Sequence, residues 1–194
     1  MRTHHLAAAA LSAALLVAAP ATASADWMFT PFVGLGMGGD TADNTTSFGG
    51  GLTWMGAGAV GFDVDFGYTP DFFGDSGSDF GDNNVTTLMV NAIVGVPIGG
   101  QSGPGIRPYV LGGIGLMKEK VDNAGQLFDV DQNDWGFDLG AGVNGFFTDN
   151  IGLRGDVRYF RTLKRDNPSD SLDIDLGSLD FWRATVGVTF RFGG

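Results

Sequence analysis

The chain has 194 residues, with 22 Asp or Glu against 11 Lys or Arg, 43% apolar and 12% aromatic residues, 33 Gly and no Cys. Its apolar content excludes a disordered chain, and the lack of cysteine excludes disulfides, thiolate metal sites and a cysteine nucleophile. A net charge of -11 argues against a nucleic-acid partner, which would need clustered Lys and Arg.

Residues 1–25 read as a secretory signal peptide: Arg2 supplies the short cationic region, Leu6 to Ala19 the apolar stretch, and Ala23-Ser24-Ala25 the small-residue cleavage pattern. The apolar stretch is too short for a membrane helix, and no stop-transfer pattern follows it. The expected organisation is therefore a signal peptide at 1–25 and one β-barrel domain at 26–194. Both histidines, His4 and His5, lie in the leader, so the mature chain has neither His nor Cys and carries a charge of -12. A Ser-His-Asp triad, a Cys-His pair and the usual zinc sites are out of reach. The reading is a non-enzyme, with no catalytic residues, no cofactor and no dedicated metal site.

From Trp27 onward the pattern repeats every second residue, the period of a strand with one apolar and one polar face. Strand one, about Trp27 to Met37, sets Trp27, Phe29, Val33 and Leu35 against Thr30, Gly34 and Gly36. Strand two, Ser47 to Met55, sets Phe48, Leu52 and Trp54 against Gly49, Gly51 and Thr53. Strand three alternates Val60, Phe62, Val64, Phe66 and Tyr68 with Gly61, Asp63, Asp65 and Gly67. Strand four, Val85 to Val96, carries Leu88, Val90, Ala92 and Val94 opposite Thr87 and Asn91, with Met89 and Ile93 also on the polar side.

Strand five, Ile106 to Met117, opposes Val110, Ile114 and Leu116 to Arg107, Tyr109, Gly113 and Gly115. Strand six, Trp135 to Gly145, opposes Trp135, Phe137 and Leu139 to Gly136, Asp138 and Asn144. Strand seven, Ile151 to Thr162, opposes Leu153, Val157 and Tyr159 to Arg154, Asp156 and Arg158. Strand eight, Phe181 to Phe192, opposes Trp182, Val186, Val188, Phe190 and Phe192 to Arg183, Thr185 and Arg191.

Two barrels of opposite sign meet this division: a membrane barrel with its apolar face outward, or a soluble lipocalin-like barrel with its apolar face inward. Volume favours the first. The interior of eight strands cannot hold about forty positions rich in Trp, Phe, Leu and Val, whereas a face of Gly, Thr and balanced charge fits a narrow lumen. The connections agree, since short ones (Met55 to Gly58, Pro97 to Pro104, Phe146 to Asn150) alternate with long polar ones (Gly38 to Thr46, Pro70 to Asn84, Lys118 to Asp134, Leu163 to Asp180). The expected fold is an all-β, eight-stranded antiparallel up-and-down transmembrane barrel.

Three stretches, Phe29 to Gly36, Arg107 to Leu116 and Gly140 to Phe160, followed by a terminal aromatic strand, resemble the OmpA-like family of small bacterial outer-membrane β-barrel domains over nearly the whole mature chain. The resemblance implies a place in the cell outer membrane of a Gram-negative envelope, reached by signal-peptide-dependent export. It also implies dealings with outer-membrane lipid and lipopolysaccharide, the outer-membrane assembly machinery and periplasmic chaperones. Members usually end on Phe, whereas this chain ends Phe192-Gly193-Gly194.

Two groups of residues are candidates for function. A lumen charge network of Asp63, Asp65, Asp138 and Asp156 with Arg107, Arg154, Arg158, Arg183 and Arg191 sums to +1, and is expected to pair into a plug. An aromatic girdle is expected at each rim, from Trp27, Trp54, Phe190 and Phe192 at the short-turn end and Tyr68, Trp135, Tyr159 and Trp182 at the other. The four long loops hold sixteen acids against Lys118, Lys120, Lys164 and Arg165, which makes divalent cations candidate partners. Asp129-Val130-Asp131-Gln132-Asn133 has the first spacings of a calcium loop, but Asp134 stands where that loop needs Gly and its closing acid is missing. The functional expectation is envelope structure or surface interaction through four acidic external loops, with a narrow, porin-like passive pore as the alternative.

Overall fold

A computed structural model describes residues 25–41, 45–56, 59–72, 83–99, 103–121, 130–163 and 179–193. The expected leader falls outside these apart from Ala25, as do most acids of the long loops. Eight strands follow in chain order: β1 (Ala25–Met37), β2 (Thr45–Gly56), β3 (Val60–Pro70), β4 (Asn83–Gly95), β5 (Gly105–Val121), β6 (Val130–Phe146), β7 (Ile151–Thr162) and β8 (Asp180–Phe192). Each pairs antiparallel with the next, and β8 pairs back to β1, so the sheet closes and leaves no edge.

Stepping across successive ladders from Trp27 through Trp54, Phe62, Ala92, Gly112, Leu139, Tyr159 and Trp182 returns to β1 at Met37, ten residues along. With roughly 3.3 Å per residue and about 4.8 Å between strands, that stagger means a strand tilt of roughly 40°.

Burial alternates along the strands as the sequence does. Trp27, Phe29, Val33, Phe62, Phe66, Val90, Val110, Ile114, Trp135, Leu139, Val157, Trp182 and Val186 all face outward and are exposed, while Asp63, Asp65, Arg158 and Arg183 are at most 1% exposed. The barrel is therefore apolar outside and charged inside. Among the described residues no helix is long and apolar enough to cross a membrane.

The β5–β6 hairpin runs further than the alternation implied. Residues 118–121 and 130–134, read as loop, continue the ladder through Lys120 opposite Asp131 and Val121 opposite Val130. Residues 130–133 are thus extended strand, which rules out the tight wrap of a calcium loop there.

The β1–β8 ladder has one interruption, at Thr30 and Pro31. Proline has no N–H to give. Inside the barrel the gap is spanned by the Thr30 and Thr189 hydroxyls, 2.9 Å apart. At the long-loop end the same seam is clasped: the Asp40 amide donates to the Asp180 carbonyl at 2.9 Å, and the Asp180 amide donates to Asp40 Oδ2 at 3.0 Å. The positive φ of Gly38 and Gly39 (67° and 60°) turns the chain to reach it, and a Cβ at Gly39 would strike the Asp180 carbonyl.

Candidate functional site: the packed lumen

The lumen is stratified into three layers. At the short-turn end Met28, Met55, Ile93, Tyr109, Leu111 and Phe146 form one buried apolar cluster. At the long-loop end Phe72, Val85, Met89, Met117, Phe160, Leu179 and Phe181 form another. Phe72 reaches this second cluster because Asp71, at φ 50°, turns the chain leaving β3 back over the mouth. It meets Phe181 edge-on at 4.9 Å, and Phe181 stacks on Phe160 at 4.9 Å.

Between the two clusters lies a belt of charge. β7 presents Arg154, Asp156 and Arg158 at successive inward positions, and all three are buried. Arg154 spans the lumen to Asp63 at 2.9 Å and also holds Asp156 at 3.0 Å. Arg158 stands among four carboxylates: Asp156 at 3.2 Å, Asp63 at 3.3 Å, Asp65 at 3.4 Å and Asp138 at 3.6 Å. Arg183 pairs with Asp65, and its guanidinium lies between the rings of Phe32 and Phe160 at 4.9 and 4.7 Å.

Neutral partners complete the belt. Thr53 donates to Asp63 at 2.5 Å, and Tyr109 donates to Asp156 at 2.8 Å while accepting from Arg154 Nε at 2.6 Å. Thr185 donates to Asp156 at 3.0 Å. The ≈ 200 Å³ of empty space bordered by Thr30, Phe32, Gly51, Arg154, Thr185 and Gly187 is nowhere wide enough to seat a water molecule.

Every lumen residue named from the sequence lies inside the barrel. Asp63, Asp65, Asp138, Asp156, Arg154, Arg158 and Arg183 share the belt, whereas Arg107 and Arg191 sit nearer the short-turn end on the ring of Phe146, at 5.8 and 4.3 Å. Arg191 Nε donates to the Asp149 carbonyl at 2.5 Å. Sequence reasoning missed Asp26, which is 5% exposed and 3.4 Å from Arg107. With Asp26 counted, the described buried charges are five acids and five arginines, so the expected +1 becomes zero. Carrying the alternation of β1 back one residue from Trp27 would have found it.

The aromatic candidates form two groups. Trp27 pairs in register with both Trp54 and Phe192, and Phe29 with Phe190, at the short-turn end. Phe62, missed from sequence, joins them by stacking on Trp54 at 5.3 Å and meeting Trp27 edge-on at 6.0 Å. Toward the long-loop end Tyr159 packs on Trp182 at 5.2 Å and Tyr68 on Phe48 at 5.4 Å, with Trp135 exposed on β6. Among the described residues no group of three or more acidic or other ligating side chains is gathered for a metal ion.

Three solved barrels show the same fold. The N-terminal β-barrel domain of Pseudomonas aeruginosa OprF is 19% identical, with 86% of this chain and 97% of that chain covered at a TM-score of 0.55. Pseudomonas aeruginosa OprG is 14% identical over 88% and 97%, at 0.60. Ail of Yersinia pestis, solved with the heparin analogue sucrose octasulfate, is 14% identical over 88% and 100%, at 0.58. At such identities the likeness speaks for the fold alone. A search among curated protein sequences finds no match. Residues 8–192 match the family model described as the outer membrane protein beta-barrel domain, and the chain belongs to that family.

Proposed function

We propose that this protein is a non-enzymatic, closed barrel of the outer membrane that serves envelope structure and surface interaction through four acidic external loops. The observation that carries the reading is the stratified lumen. Among the described residues, apolar side chains close both ends and paired charge fills the space between them, which supports a rigid wall without a continuous aqueous path. That weighs against a passive pore. Cleavage after Ala25 on export would leave Asp26, the partner of Arg107, as the first residue.

The partner chemistry follows from charge. Sixteen acids against four bases at the long-loop end repel a polyanion such as the sulfated sugar bound to Ail. They favour divalent cations, which would bridge the loops to the phosphates of neighbouring lipopolysaccharide. Fractionation with unboiled electrophoresis tests the reading: the protein should enter the outer-membrane fraction and run as a compact, faster band until heated. Recovery in the soluble periplasmic fraction would refute it.

A further inference from the structure

Two buried polar side chains of the lumen stand unsatisfied on either side of one glycine of the wall. Asp138 is fully buried and neither carboxylate oxygen accepts a hydrogen bond; Arg158 Nη1, 3.6 Å away, makes none either. Asn91 is 1% exposed, and neither its amide oxygen nor its amide nitrogen has a partner. Strand register places them in one row, because Asn91 of β4 faces Gly113 of β5, and Gly113 faces Asp138 of β6. The bare glycine makes room for the Asn91 side chain, since a Cβ there would collide with Asn91 Oδ1, so the amide overhangs it.

The belt is also short of one positive charge. Arg107 is taken by Asp26, and Arg191 by the Asp149 carbonyl and the face of Phe146. What remains is Asp63, Asp65, Asp138 and Asp156 against Arg154, Arg158 and Arg183, a net of -1, with Arg158 dividing its single charge among all four acids. A water molecule over Gly113 would supply hydrogen bonds but leave the charge. A small monovalent cation supplies both, since hard cations take carboxylate and amide oxygens. A divalent ion needs more carboxylates than this row offers.

We propose that one sodium or potassium ion binds over Gly113, between the Asp138 carboxylate and Asn91 Oδ1. It rests on residues of the sealed lumen but not on the membrane location. Because both ends of the barrel are packed, the ion enters as the barrel forms and leaves slowly afterwards.

The test is thermal unfolding of the full chain refolded into detergent in sodium, potassium or choline chloride at equal ionic strength. The midpoint should stand about 5 °C higher in sodium or potassium than in choline. Asn91→Leu should shrink that increment and Asp138→Asn should abolish it. Protein refolded and crystallised in thallium(I) should show anomalous density beside Asp138, which decides the matter even if Asp138→Asn fails to fold. Equal wild-type midpoints in the three salts without thallium density, or an increment that survives in Asp138→Asn, would overturn the proposal. A midpoint indifferent to the cation but dependent on pH would overturn it too.

Discussion

Arg107 on β5 reaches across the barrel to within 3.4 Å of the carboxylate of Asp26 on β1, joining two strands that share no ladder. Both side chains are buried, and the guanidinium rests on Phe146, 5.8 Å from the ring centre. The pair ties the first strand to the far wall at the short-turn end.

Removing one member should therefore cost more than removing both. Asp26→Ala strands a buried cation and is expected to lose about 3 to 5 kcal/mol. Adding Arg107→Met should recover most of that loss, measured by urea unfolding in lipid vesicles. A double variant as unstable as the single one would show that the pair is not what Asp26 contributes.

The two faces of β3 should respond in opposite ways. Val64 points outward between the inward-facing Asp63 and Asp65, so Val64→Arg should destabilise the barrel in lipid by about 2 to 4 kcal/mol. Val64→Leu should cost less than about 1.5 kcal/mol. Equal stability of the arginine variant in lipid and in detergent would mean that this face does not meet hydrocarbon.

In planar bilayers the wild type should carry no steady current. The two apolar clusters act in series, so Phe72→Ala with Phe181→Ala should remain closed. The further substitution of Met28 and Phe146 by Ala should still open no steady leak while the charged belt between the clusters stands. Replacing Arg154 and Arg158 by Ser exposes four acids to one another, and should destabilise the barrel and make any leak cation-selective. A porin-sized wild-type conductance would defeat the sealed reading.

Orientation can be read with single cysteines. Leu163 follows β7 at the long-loop end and Thr148 lies in the β6–β7 turn, and both are exposed. Leu163→Cys should react with an impermeant maleimide on intact cells, and Thr148→Cys only after permeabilisation. The reverse pattern would invert the barrel.

How much of this was legible in the sequence depended on where hydrocarbon would be. Strands such as β3 announced themselves because one face is apolar and the other is not. The far ends of β5 and β6 did not: beyond Met117 both faces carry polar residues, so Lys118, Glu119 and Lys120 show no alternation although the ladder continues. The charged belt could be listed from the alternation, but not its pairing, since Arg158 meets acids on two other strands, β3 and β6. Phe72 gave no signal, being a loop residue turned inward by one positive φ. Met89 and Ile93 looked like stray apolar residues on a polar face, Met28 and Met55 were assigned to neither face and Phe146 was read as part of a turn, until the register gathered them at the two mouths.

The apolar stopper at each end, built around Met and Phe, has a bearing on how many copies a cell can carry. An open pore adds its leak to every other pore, so its number is bounded by the passage of small solutes that the envelope must limit. A barrel stoppered at both ends adds nothing to that leak. It can be made in great numbers, as paving, and its abundance is then limited only by membrane area and the capacity to fold it.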